Sequence, residues 1–211
     1  MVIDNFENIK PILNFNGELY VYVTLYNRKK DNPCMHDQMH AVKHYYIDSY
    51  KYLDKIKEEI ITLCETFNAR AYISYSMRRK DKFISAMLIE MSHIANNNFI
   101  NTFNFSKLAQ TSGNVFRKIK PLRKNSYHMI HCDGEYAITR VPQLIDIIKN
   151  AGAQEIYTIP SVTGVHILYK GADTSKINNV FDKMDETFHE HFERKGTDAY
   201  TLLYSNLKEI K

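Results

Sequence analysis

Apolar positions along this chain switch between two periods, and each switch marks an element. Leu19 to Tyr26 (LYVYVTLY) is aromatic and β-branched, which predicts a buried strand. Ala41 to Ile47 predicts a second strand, and Asp48 and Ser49 are N-cap candidates for the helix behind it. Leu53, Ile56, Ile60, Leu63, Cys64 and Phe67 form one apolar stripe along that helix. Ala69 to Ser76 predicts a third strand. Ile84, Met87, Leu88, Met91 and Ala95 stripe a second helix. From residue 96 to 125 no period is clear, so this stretch is expected to be a connector or an irregular insertion. Beyond it the pattern predicts a strand over 126–133, a helix over 142–151, strands over 154–160 and 164–170, a helix over 174–191 and a strand over 199–204. Pro142 suits a first helical turn and Gly152 a stop.

This order predicts an α+β fold: a mixed β-sheet with helices packed on its face, and room for two small subdomains. Residues 1–115 would form an N-terminal α/β part with the irregular connector. Residues 116–211 would form a β-α-β-β-α-β core.

Composition narrows the classes. Of 211 residues 44% are apolar, enough for a core and too many for a disordered chain. The net charge of +4 does not by itself mark a nucleic-acid binder. The charge is clustered, however: Arg78, Arg79, Lys80 and Lys82 form one group, and Arg117, Lys118, Lys120, Arg123 and Lys124 another. Each is either a phosphate-facing patch or a solvated loop. Three cysteines without a CxxC spacing fit a reducing compartment, so a cytoplasmic protein is expected. No secretory segment opens the chain and no apolar run reaches membrane-spanning length, so no membrane partner is expected.

Most of the histidines lead nowhere specific. His36 and His40 lie in HDQMH, which differs from the zinc-protease HExxH by a shorter acid and lies in a strand-like context with His44 close behind. His189 and His191 are two apart on a predicted helix and face different ways. No GxGxxG, P-loop or GxSxG is present, so the common dinucleotide, NTPase and serine-hydrolase signatures are absent.

The chemistry concentrates in YHMIHCD (127–133) and EIYTIPSVTGVHILYK (155–170). On an extended strand His131 and Asp133 point the same way. Ser161-Val162-Thr163-Gly164 is a tight turn leading into a strand that carries His166. Glycine lets backbone N–H groups approach an anion, a hydroxyl donates, and an imidazole adds a donor.

SVTGVHILY resembles the second motif of the archaeo-eukaryotic-type primase-polymerases, matching at Ser161, Thr163, Gly164 and His166. The resemblance covers about 127–204 and implies that these residues contact the phosphates of a nucleoside triphosphate. The family's first motif, a strand ending in Asp-x-Asp that binds two divalent metals, would fall on MIHCD. Asp133 fits its second position, and His131 replaces the first. The lone Asp of the third motif would be Asp198. By this resemblance Asp133 and Asp198 are the catalytic carboxylates and Asp133 with His131 holds Mg²⁺ or Mn²⁺. Arg78, Arg79, Arg117 and Lys118 would meet DNA or RNA phosphates, as in DNA replication. Because Mg²⁺ prefers oxygen ligands, His131 implies either another metal or a nucleotide pocket without transfer chemistry. YNRKKDNP, NARAYI, TIPSVTGVH and TLLY also resemble elements of a group of phage-type proteins, which implies no activity.

The expectation is a nucleotide or nucleic-acid binding protein with a primase-polymerase-like site. Whether it is a metal-dependent nucleotidyltransferase is left open. The rival is a non-catalytic phage or mobile-element protein that binds a nucleotide or a host protein. In a third reading His166 is a satisfied core histidine and His131–Asp133 only fixes its strand.

Overall fold

The computed structural model describes residues 2–98, 105–122, 126–197 and 199–206; the side chains at 97–98, 105–110 and 117 are outside the described set. The chain opens with β1 (Val2–Asp4), α1 (Phe6–Ile9) and a 3-10 turn. β2 (Leu19–Arg28), β3 (Met39–Ile47), α2 (Tyr50–Thr66), β4 (Arg70–Ser74) and the short β5 (Arg78–Arg79) follow. Two helices come next, α3 (Lys80–Asn98) and α4 (Phe105–Lys118). The second half runs β6 (His128–Asp133), α5 (Gly134–Asn150), β7 (Glu155–Pro160), β8 (Gly164–Lys170), α6 (Thr174–Phe181), α7 (Glu186–His191), β9 (Phe192–Lys195) and β10 (Tyr200–Asn206).

The α+β class holds, in two sheets whose described pairings are all antiparallel. The larger has the order β1-β10-β4-β2-β3, with β5 beside β2. The smaller has the order β7-β8-β6-β9. Its connectivity, β6-α5-β7-β8-α6-α7-β9, is the split βαβ arrangement of ferredoxin-like folds. The strand predicted over 199–204 therefore does not close the small sheet. It returns to the large one between β1 and β4, and the fourth small-sheet strand is β9.

Alternation decides which face each sheet buries. Val21, Val23 and Leu25 of β2 pack with Leu53, Ile56 and Ile60 of α2. Ser49 caps that helix by accepting from the Tyr52 N–H at 3.2 Å. Tyr20 and Tyr22, on the opposite face, pack against Phe116 of α4. In the small sheet Ile130, Cys132 and Ile167 pack under Leu144, Ile148, Ile177 and Phe181 of α5 and α6. Its other face turns toward the large sheet, where Met129, Ile159 and Leu168 join the core around Leu203 and Tyr204.

The stretch 96–125 is not merely a connector, because α4 forms within it and buries Val115 and Phe116. α5 starts eight residues before Pro142, which sits inside the helix. The helix predicted over 174–191 breaks at Asp185, which caps α7 by accepting from the Phe188 N–H at 2.8 Å. Among the described residues no helix is long and apolar enough to cross a membrane.

Asn5 ties the two sheets together. Its buried side-chain N–H₂ donates to the Leu202 carbonyl at 2.9 Å and to the Pro160 carbonyl at 2.8 Å. Asn5→Ala is expected to lose about 2 kcal/mol, because the buried Leu202 carbonyl and the half-buried bond to Pro160 both lose this donor; urea denaturation of the two proteins measures it.

Candidate functional site

On β6 the side chains of Met129, His131 and Asp133 project to the face turned toward the large sheet, while Ile130 and Cys132 go to the helices. β6 lies beside β8, in a register that sets His131 opposite His166 and Asp133 opposite Gly164. On its other side His131 faces Glu193 of β9. The two histidine rings meet edge to face with centroids 4.9 Å apart.

The turn at 161–164 has an internal purpose. The Ser161 N–H donates to the Gly164 carbonyl at 2.8 Å, and the Gly164 N–H donates to Ser161 Oγ at 3.1 Å. The Gly134 N–H donates to the Thr163 carbonyl at 2.8 Å, joining the turn to the start of α5. A Cβ at Gly164 would lie 2.0 Å from the Cys132 carbonyl oxygen. Glycine is therefore required by strand approach. That reason is independent of the anion contact expected from the motif.

His166 is 7% exposed, and its Nδ1 shares a hydrogen bond with Thr201 Oγ1 at 2.7 Å. Burial, with a smaller contribution from His131, pushes its pKa down to about 3. It is a neutral, partnered histidine that links β8 of one sheet to β10 of the other. Burial also lowers the pKa of His131, and Asp133 partly opposes this. Asp133 Oδ1 is buried and has no hydrogen-bond partner among the described residues. The Asp133 carbonyl accepts from His191 Nδ1 at 3.0 Å.

These groups line one wall of a cavity of about 380 Å³ between the sheets. Ser161, Val162 and Thr163 edge it, and Glu193 and Lys195, paired with each other, complete that side. The opposite wall is built on the large sheet: Arg28 at the end of β2 with Lys30 in the turn after it, Arg70 and Tyr72 of β4, and Tyr200 and Leu202 of β10. Arg28 Nη1 donates to the Tyr72 hydroxyl at 2.9 Å. Arg70 forms a buried ion pair with Asp31 at 2.6 Å.

The structure thus gathers His131, Asp133, Ser161, Thr163, Gly164 and His166 in one place. Asp198 lies outside the described residues, as does the side chain of Arg117. Arg78 is not a phosphate-facing residue. It is fully buried, donates to the carbonyls of Ile119 and Ser76 at 2.9 and 3.1 Å, and lies 3.8 Å over the Phe116 ring. Arg79 forks onto Asp81 at 2.9 Å, and Lys118 pairs with Glu90. His40 and His44 lie on β3, so HDQMH has no helix on which to present two ligands. Among the described residues no three His, Cys, Asp or Glu side chains form a group that could hold a metal ion.

The sequence reading missed the large-sheet wall. Its signal was available in β2, where Arg28 has the same parity as Tyr20, Tyr22 and Thr24 and closes one face of an alternating strand.

In comparisons with known proteins, the chain matches no family model, no curated protein and no solved structure.

Two outcomes follow from this geometry. Gly164→Ala is expected to destabilise the fold by about 3 kcal/mol or more, since the clash is with backbone and cannot be relieved by a rotamer change; calorimetric melting reads it. The second concerns pH. His166 binds its proton less readily when folded than when unfolded, so stability falls as pH drops below about 6.5 and continues falling to about 3. Each pH unit in that window costs up to about 1.4 kcal/mol from this residue. Urea midpoints from neutral to mildly acid pH should fall more steeply for the wild type than for His166→Gln; parallel slopes would show that His166 is not held neutral.

Proposed function

We propose that the cavity between the sheets binds a nucleotide, and that the protein is a nucleotide or nucleic-acid binding protein with a primase-polymerase-like site. The observation that carries this reading is a single juxtaposition. His131, Asp133 and the 161–166 segment, the residues of the resemblance, face a wall bearing Arg28, Lys30, Arg70 and Tyr72. Cations suit phosphates, a tyrosine ring suits a base or sugar, and the volume suits a small ligand.

In this reading Asp133 and His131 would hold a divalent ion, Mg²⁺ or more readily Mn²⁺, with Asp198 as the proposed second carboxylate. The described donors do not complete a ligand set, so nucleotide binding is the function assigned and no transfer step is attached to it. The second reading, a non-catalytic binder of a nucleotide, fits the same lining residues. The pairing of Arg79 with Asp81 and of Lys118 with Glu90 favours a nucleotide over a long DNA or RNA strand as ligand.

Calorimetry with ATP and dNTPs, with and without Mn²⁺, tests the reading. The wild type is expected to bind. In metal-free buffer Asp133→Asn is expected to bind more tightly, because a carboxylate that shares the cavity with the bound anion is removed. With Mn²⁺ the same variant is expected to lose whatever the metal adds. A wild type that binds no nucleotide under either condition sinks the proposal.

A further inference from the structure

The structure assigns a phosphate subsite that works without metal to Arg28 and Lys30, on the large-sheet wall and away from the Ser161–Gly164 turn. The nucleotide identity of the ligand rests on the function proposed above; the anion subsite itself does not.

Four observations place it there. The β2–β4 register sets Thr24 opposite Tyr72 and Tyr26 opposite Arg70, so Arg28 continues one polar face at the mouth of the cavity. The Tyr72 hydroxyl orients the Arg28 fork through one N–H, and the guanidinium has others to offer a ligand. Among the described residues neither Arg28 nor Lys30 has an ion-pair partner. The one acid in this run, Asp31, is turned inward onto Arg70 at 2.6 Å, and the Asp31 and Asn32 N–H groups both donate to the Arg28 carbonyl at 2.9 Å. Asp31 is thereby withdrawn into the protein, and Arg28 and Lys30 stand at the cavity.

The opposite wall is less suited to an anion. His166 is neutral and spends Nδ1 on Thr201. The Gly164 N–H is spent within the turn, on Ser161 Oγ. Lys195 is paired with Glu193, and Asp133 is acidic. A ligand carrying phosphate groups thus lowers its energy by turning them toward β2. A fork held by a tyrosine hydroxyl binds two phosphate oxygens at once without help from a cation.

The test is calorimetry on the full chain, in EDTA and again with Mg²⁺ or Mn²⁺, with inorganic triphosphate, ATP and adenosine as probes. Arg28→Gln is expected to weaken triphosphate and ATP by about tenfold or more, the loss of a charge-assisted pair of hydrogen bonds. Lys30→Glu, at an exposed position and so without a folding risk, is expected to weaken both by a similar factor. Raised salt should weaken both anions and leave adenosine unaffected. ATP binding of equal strength in all three proteins overturns the subsite and leaves the nucleotide reading standing. Triphosphate binding that depends on Arg28 without any ATP binding keeps the subsite and removes the nucleotide reading. Binding that appears only with Mg²⁺ or Mn²⁺ overturns the metal-independent subsite. No binding by any probe removes both.

Discussion

The approach of Gly164 to the Cys132 carbonyl is the constraint on which the site depends. No other residue fits at that point of β8, and the register of β6 against β8 follows from it. A slip of one residue would turn Ile130, Cys132 and Ile167 away from the helices and His131 and Asp133 into them. The apolar core under α5 and α6 therefore holds the polar residues on the opposite face, because the two sets share one strand.

That opposite face meets the large sheet, and the meeting is apolar on one side and polar on the other. Where Met129, Ile159 and Leu168 reach Leu203 and Tyr204 the contact is closed. Toward the end of β6 the side chains become His131 and Asp133, and the sheets part around a cavity. The bond between His166 and Thr201, with the two donated by Asn5, sets the separation of the walls. His166 is thus both a core histidine and part of the cavity wall.

The regular elements were legible from local pattern: β2, β3 and β4 are runs of β-branched and aromatic residues, and α2 carries one long apolar stripe. α4 was missed although Phe105, Leu108, Val115, Phe116 and Ile119 recur at helical spacing, because Thr111, Ser112 and Gly113 in its middle read as a loop. The start of α5 hides behind Gly134, which takes a positive φ of 82°, and Pro142 reads as a beginning although it lies mid-helix. β9 reads FERK, three charges in four residues, and is a strand only because β6 offers it an unpaired edge. Arg78 was legible as charge and not as burial; the carbonyls and the ring that satisfy it come from segments up to 41 residues away.

The sequence by itself determined that His131 and Asp133 share a face, that a turn precedes His166, and that strands alternate with helices. These are local consequences of backbone geometry and spacing. Only the tertiary structure decided that β6 and β8 are neighbours, that Arg28 and Lys30 stand across a cavity from them, that Arg78 is buried against Ile119 and Phe116, and that Lys118 pairs with Glu90. Each of those facts depends on segments far apart in the chain being brought within hydrogen-bonding distance. The pattern of one segment carries no record of what a distant segment will bring to meet it.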